Sequence, residues 1–123
     1  SMAEKIKNPV QELGMHIEHI GINAADEAEA ARIAALIEAL FGLEQSETSV
    51  SYFNDVLIEV MKGCGRGSMG HIGFAVNDIA AAEEYFCSRG LTICEESRVL
   101  NDDGTAKLVY FNEEIAGFAV HLC

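Results

Sequence analysis

The sequence predicts an α+β domain built from two tandem copies of a β-α-β-β-β module. The first observation is an octapeptide, His-Ile-Gly-Ile-Asn-Ala-Ala-Asp at residues 19–26, which returns as His-Ile-Gly-Phe-Ala-Val-Asn-Asp at residues 71–78. The second is Tyr-Phe-Asn before an acidic residue, at residues 52–54 and again at 110–112. Similar segments in a fixed order indicate a repeated structural unit. We therefore expect one domain over residues 15–123.

Composition limits the class of protein. Half of the 123 residues are hydrophobic and 23% are charged, which is typical of a globular chain. Twenty acidic against eight basic residues give a net charge of -12. A protein that binds nucleic acid or an anionic membrane needs a basic surface, so neither is an expected partner.

The cysteines and the chain start predict a cytoplasmic protein. Four cysteines occur without a C-x-x-C pair, which favours reduced thiols. No apolar run approaches the roughly 20 residues of a membrane span, and no signal core is visible at the start. We interpret Ser1-Met2 as a cloning remnant, and residues 3–14, which contain the one proline, as a linker or tail.

Module one, residues 15–62, begins with a strand at 15–22, in which alternation places Ile17, His19 and Gly21 on one face. A helix follows, with Asp26 as its N-cap and Gly42 just after its end. One apolar stripe of this helix is expected to pack on the sheet: Ile33, Leu36, Ile37, Leu40 and Phe41. A weak strand pattern at 43–53 and a clear strand at 56–61 complete the module.

A joint at residues 63–70 leads into module two at 69–123. Residues 62–70 contain four glycines, which favours a flexible loop, and their spacing fits no phosphate-binding fingerprint. The helix of module two is expected at 78–89, with its inward face formed by Ile79, Ala82, Tyr85 and Phe86. Strands are expected at 69–76, 91–100, 107–112 and 118–122, with a hairpin turn at 101–104.

Each module has one polar residue in its first strand and one in its last. These are His19 and Glu59 in module one, and His71 and His121 in module two. Small residues share their faces and leave room for a ligand: Gly21, Gly73, Ala75 and Ala119. Three imidazoles and a carboxylate are ordinary ligands of a divalent transition metal, and a buried, ionised glutamate is costly without a partner.

An alternative interpretation treats these histidines as hydrogen-bonded core residues, since the sequence does not show that the four converge. His16 falls on the opposite face of its strand from His19 and is expected at the surface. Tyr52 and Tyr110 are candidates for the lining of the site or for the core.

The paired modules, His-Ile-Gly at the opening of each, and the closing strands Val-Leu-Ile-Glu-Val and Gly-Phe-Ala-Val-His-Leu resemble the vicinal oxygen chelate superfamily. Glyoxalase I, fosfomycin and bleomycin resistance proteins and extradiol dioxygenases belong to that superfamily. The resemblance covers residues 15–123 and implies a glyoxalase-like, open, curved, eight-stranded sheet with the helices on its outer face.

The same resemblance implies a divalent cation (zinc, nickel, manganese or iron(II)) and a small oxygenated substrate. The metal-ligand positions of the superfamily fall on His19, Glu59, His71 and His121. His121 stands where a glyoxalase-type isomerase has a second carboxylate, which leaves Glu59 as the catalytic base. Lyase, isomerase and oxygenase chemistry all remain open, and a homodimer would be in keeping with the superfamily.

A narrower resemblance is carried by Glu-Val-Met-Lys at 59–62 and Glu-Glu-Ile-Ala-Gly-Phe-Ala-Val-His-Leu at 113–122. Both segments are similar to a domain found C-terminal to bacterial keto-deoxy-phosphogluconate (hydroxy-oxoglutarate) aldolases. This resemblance implies a fused aldolase domain as partner, with residues 3–14 as the linker. It offers a second hypothesis, a non-catalytic metabolite-binding or regulatory domain. A third is a structural or dimerisation domain.

Overall fold

A computed structural model describes residues 5–123. The chain forms three helices and eight strands within this range, in the following order: α1 (Pro9–Glu12), β1 (His16–Asn23), α2 (Glu27–Phe41), β2 (Gln45–Glu47), β3 (Ser51–Asn54), β4 (Ile58–Met61), β5 (Gly70–Ala75), α3 (Ile79–Ser88), β6 (Ile93–Leu100), β7 (Ala106–Ile115) and β8 (Phe118–Leu122). No helix of this part of the chain is long and apolar enough to cross a membrane.

All eight strands belong to one mixed sheet in the order β2-β3-β4-β1-β5-β8-β7-β6. Each module contributes four neighbouring strands, with its last strand parallel to its first. The modules meet where β1 and β5 pair antiparallel. The predicted pair of β-α-β-β-β modules and the open eight-stranded sheet are therefore confirmed.

The strand register shows which parts of the sequence repeat are structurally equivalent. Gly21 pairs with Glu59 in module one, as Gly73 pairs with His121 in module two. The Tyr-Phe-Asn repeat is offset by one residue, because it is Phe53, not Tyr52, that pairs with Glu59, whereas Tyr110 pairs with His121. A shift of one residue in a strand turns a side chain to the other face. This second repeat is therefore not structurally equivalent.

Helix α2 begins and ends where the sequence predicts. The Asp26 carboxylate accepts a hydrogen bond of 2.8 Å from the Glu29 amide, and Gly42 adopts a left-handed conformation with φ 72°. The predicted buried stripe is partly wrong, since Leu36, Leu40 and Phe41 are exposed. The face against the sheet keeps Ile33 and Ile37 of that stripe, and it is completed by the small residues Ala30 and Ala34, which allow the helix to approach closely.

Helix α3 packs on the outer face of module two as predicted. Ala82 and Tyr85 are buried, and Ile79 and Phe86 pack against the same cluster. The strands contribute Val109, Phe111, Val120 and Leu122 to this core. Asp78 caps the helix by accepting a hydrogen bond of 3.0 Å from the Ala81 amide.

The segment before β1 is not a free tail. Ile6 and Leu13 are buried in the module-two core, and the Asn77 amide donates to the Leu13 carbonyl at 2.8 Å. The expectation of a tail or linker overlooked these two apolar side chains among polar neighbours. The interpretation of Ser1-Met2 as a cloning remnant lies outside the described residues.

A β-bulge alters the predicted alternation in β1. The register with β5 shifts between Ile17 and His19, because Ile17 pairs with Phe74 while His19 pairs with Gly73. Ile17 therefore does not share the His19 face, and it is exposed. The bulge inserts a residue that sequence alternation cannot reveal.

Candidate metal centre

Three potential metal-ligand atoms, on His19, Glu59 and His71 of the central strands, lie close together. The Nε2 atoms of His19 and His71 are 3.0 Å apart. Glu59 Oε1 lies 3.2 Å from His71 Nε2 and 3.8 Å from His19 Nε2. The pairing of β1 with both β4 and β5 brings these residues together across the junction of the modules.

His121 completes the group from β8. His19, His71 and His121 each offer a ring nitrogen, and these atoms all lie within 4.8 Å of one another. His121 Nδ1 lies 3.4 Å from the Leu122 carbonyl oxygen, which leaves its Nε2 for the cluster. The three histidines therefore form one group, and Glu59 joins it through its contacts with His19 and His71.

Two glycines create the space that the imidazole rings occupy. A Cβ added at Gly21 would collide with the His71 ring. A Cβ added at Gly73 would lie 2.6 Å from His121 Nε2 and 2.9 Å from His19 Cε1. The small residues predicted to leave room for a ligand thus leave room first for the neighbouring rings.

Glu59 is positioned as an ionised carboxylate. Ser51 donates a hydrogen bond of 2.7 Å to Oε2, so that Oε1 faces the histidines. Burial acts to raise the pKa of Glu59, but hydrogen bonds from His71 and Ser51 outweigh it, and the pKa lies below its ordinary value. Glu59 can therefore accept a proton or a cation at neutral pH.

His19 and His121 favour the neutral form that ligates metals. Burial lowers the pKa of His121 to about 4. Burial, followed by the neighbouring His71, lowers the pKa of His19. A neutral imidazole keeps one nitrogen lone pair free, which is what a metal ion requires.

The residues present fit a divalent cation. Ligand bonds of about 2.1 Å in tetrahedral or octahedral geometry place neighbouring donor atoms about 3.0–3.4 Å apart, close to the 3.0 and 3.2 Å seen here. His71 Nδ1 is buried without a hydrogen-bond partner among the described residues. That nitrogen lies on the far side of the ring from His19 and Glu59, so the spacing of the donor atoms, and not this orphaned nitrogen, favours a ligand site over a hydrogen-bonded core.

Two aromatic residues flank the cluster on the same face. The Tyr110 ring lies 4.9 Å from that of His121, and the Phe53 ring lies 6.2 Å from that of His19. Burial raises the pKa of Tyr110 to about 12, so its hydroxyl stays protonated. Tyr52 instead packs against the core under helix α2. His16 is exposed as predicted, but its predicted face is wrong: the bulge pairs His16 with Ala75 and so turns it to the face of His19, which pairs with Gly73.

The predicted glycine-rich joint is a loop held to both modules. The Asn23 amide nitrogen donates to the Gly67 carbonyl at 2.8 Å, and Ser68 binds Glu114 through its amide and hydroxyl at 3.1 and 3.0 Å. The loop places the Arg66 guanidinium 4.7 Å above the Tyr110 ring. Sequence reasoning missed Ser51, Phe53 and Arg66 as site residues. No repeat marks Ser51 or Arg66, and the Tyr-Phe-Asn repeat points to Tyr52 because only the strand register shows that Phe53 pairs with Glu59.

Access to the cluster is limited to one side. The His71 and His121 side chains are almost fully buried, whereas those of His19 and Glu59 keep 12% and 15% of their surface. Clefts of about 590 and 370 Å³ lie elsewhere on the molecule and involve none of the four. A ligand must therefore approach over His19 and Glu59.

Comparison with known proteins assigns the fold. No protein-family model and no curated protein matches the sequence. Among solved structures, the hypothetical protein BH1468 from Bacillus halodurans is similar over 89% of this chain and 93% of that one, with 14% identity and a TM-score of 0.57. The architecture is thus shared at low sequence identity.

Methylmalonyl-CoA epimerases have the same architecture. A Streptomyces coelicolor variant in complex with 2-nitronate-propionyl-CoA is 16% identical over 86% of this chain and 94% of that one, with a TM-score of 0.56. A methylmalonyl-CoA epimerase in complex with methylmalonyl-CoA and NH4+ is 16% identical over 90% and 94%, with a TM-score of 0.55. The chain therefore has the glyoxalase-like fold.

Proposed function

We propose that this protein is a divalent-metal-dependent enzyme of the vicinal oxygen chelate superfamily that moves a proton on a small oxygenated acid. The observation that carries the proposal is the meeting of His19 Nε2, His71 Nε2 and Glu59 Oε1 within 3.0–3.8 Å, with His121 beside them. These donors suit zinc, nickel, manganese or iron(II).

A bound cation would supply Lewis acidity toward adjacent oxygens of the substrate. Glu59 is the proposed base, because its carboxylate is ionised and Ser51 holds one of its oxygens. It would take a proton from the carbon next to the substrate carbonyl. Tyr110 stays protonated, and His71 and His121 exclude water from the inner side of the site.

Proton transfer is preferred over lyase and oxygenase chemistry on one ground. The solved neighbours include epimerases, and epimerisation next to a carbonyl begins by removing a proton from that carbon. Glu59 is the carboxylate that faces the Nε2 atoms of this cluster, whereas Glu18 Oε2 lies 4.0 Å from the other ring nitrogen of His19, Nδ1. One base suffices for proton exchange, whereas delivery of a proton to the opposite face requires a second group.

Solvent exchange tests the proposed chemistry directly. Metal-loaded protein is incubated in D2O with methylmalonyl-CoA or 2-oxoglutarate, and deuterium at the carbon next to the carbonyl is followed by proton NMR. We expect exchange above the buffer rate, loss of that excess in Glu59→Gln, and retention in His16→Ala. Equal exchange in Glu59→Gln and the unaltered protein would contradict the assignment of the base.

The remaining partners stay predictions. A homodimer is checked by light scattering, and a fused aldolase domain by reading the gene upstream of residue 3. A cytoplasmic location is in keeping with four free cysteines, two of them exposed.

A further inference from the structure

The Arg66 guanidinium, like those of Arg32 and Arg89, has no carboxylate partner among the described residues, but Arg66 alone of the three stacks on Tyr110, whose ring lies beside that of His121. Lys62 forms an ion pair with Glu47, and Arg98 with Glu83. Arg66 forms no ion pair with the described residues, and its polar contact is a distance of 3.8 Å to Cys94 Sγ. In a chain with twenty acidic residues this leaves a guanidinium with most of its donors free.

The loop places Arg66 over the face of the sheet that carries the metal-ligating candidates. Its guanidinium stacks on Tyr110 at 4.7 Å, and Tyr110 and Cys94 pair across neighbouring strands. The next ring along this face is His121, 4.9 Å from Tyr110. The guanidinium is therefore within about 10 Å of the His121 ring, taking the two distances end to end.

The anchoring of the loop makes this position reproducible. Asn23 holds the Gly67 carbonyl at 2.8 Å from the module-one side. Glu114 holds Ser68 from the module-two side. A cation on a tethered loop loses less conformational freedom on binding than one on a free loop.

We infer that Arg66 is the anchor for a second anionic group of the substrate, one end of which reaches the histidine cluster. This inference rests on the proposed function and names its substrate class: 2-oxo acids with a distal carboxylate. An arginine fork matches a carboxylate in two parallel hydrogen bonds, and stacking on an aromatic ring leaves that fork available.

The lengths are compatible with a five-carbon diacid. The two ends of 2-oxoglutarate are about 5 Å apart, and contacts of about 2 and 3 Å at its ends bring the reach to about 10 Å, which equals the upper limit on the separation between the guanidinium and the His121 ring. A 2-oxo acid of the same length with an apolar end, 2-oxovalerate, presents the same head group and lacks the group that Arg66 would bind.

The test compares Arg66→Gln with Arg89→Gln by calorimetric titration of 2-oxoglutarate and 2-oxovalerate. Arg89 is the matched control, since it also lies over a tyrosine, 5.0 Å from the Tyr85 ring, but on the helix α3 side. We expect Arg66→Gln to weaken 2-oxoglutarate binding about 10- to 100-fold. Binding of 2-oxovalerate should change less than about twofold, and Arg89→Gln should change neither ligand.

Equal 2-oxoglutarate affinity in Arg66→Gln, or no preference for 2-oxoglutarate over 2-oxovalerate in the unaltered protein, would overturn the anchor. Two further measurements separate failure of the Arg66 anchor from failure of the metal site. Each protein is titrated with zinc, and the same ligand titrations are repeated after chelator treatment. Zinc binding without Arg66-dependent diacid binding removes the anchor alone. Arg66-dependent diacid binding without zinc binding removes the metal-dependent function and retains the anchor.

Discussion

Substitution of Gly73 by alanine tests the packing of the site most sharply. The added Cβ would lie 2.6 Å from His121 Nε2 and 2.9 Å from His19 Cε1. An ordinary contact begins near 3.4 Å, so the His121 ring must move by about 0.8 Å. Metal-ligand distances tolerate about 0.2 Å. We expect metal affinity to fall about 10- to 100-fold, and the free energy of unfolding to fall by about 1–3 kcal/mol from overpacking.

The measurement is a zinc competition titration beside urea unfolding. Gly104→Ala is the control, because Gly104 has open space around it but φ +87°, so alanine there is strained by about 1 kcal/mol without touching the site. It should lose stability and keep its zinc affinity. Wild-type zinc affinity in Gly73→Ala would refute the close packing of these rings.

Two further predictions concern stability. His121 has a pKa of about 4, below the ordinary 6.5, so between these pH values the unfolded chain binds a proton that the folded protein does not. The free energy of unfolding of the metal-free protein should therefore fall by about 3 kcal/mol as pH falls from 6.5 to 4. His121→Gln should flatten this dependence in urea unfolding. A pH-independent midpoint in the unaltered protein would contradict it. Leu13→Ala removes a buried side chain from the module-two core and should cost about 2–5 kcal/mol in the same assay, while Val10→Ala, at an exposed site, should cost less than about 0.5 kcal/mol. Equal effects would restore the interpretation of this segment as a tail.

The repeated sequence predicted the architecture because equivalent residues occupy equivalent strands. His19 and His71 repeat in sequence and lie in paired central strands. The N-cap of helix α2 was equally predictable, since Asp26 acts within its own helix. Asp78 plays the same part at helix α3, where the sequence analysis placed it as the first helical residue. The residues within each element, together with the repeat, were therefore enough to predict the helices and strands and their order along the chain.

Features that depend on how neighbouring strands pair could not be predicted from the sequence. The bulge before His19 turns Ile17 to the other face, and the one-residue offset between Phe53 and Tyr110 makes the Tyr-Phe-Asn repeat misleading. The exposed Leu40 shows the same limit, since an apolar stripe does not tell which of its edges meets the sheet. These details depend on tertiary pairing, which periodicity does not record.

The site was predictable as a set of four residues but not in its environment. Glu59 was expected to need a partner because burial of a charge is costly, and it lies beside the imidazoles of His19 and His71. Ser51 and Arg66 reach the same face through strand register and a tethered loop. Neither has an equivalent in the sequence repeat.

The central claim is that His19, Glu59, His71 and His121 hold a divalent cation. The most direct test is inductively coupled plasma mass spectrometry of protein incubated with zinc, nickel, manganese and iron(II) and then desalted, beside His71→Ala and the surface control His16→Ala. We expect about one transition metal per chain in the unaltered protein and in His16→Ala, and a loss of most of it in His71→Ala. No metal in any of the three, or equal metal in His71→Ala, would contradict the claim.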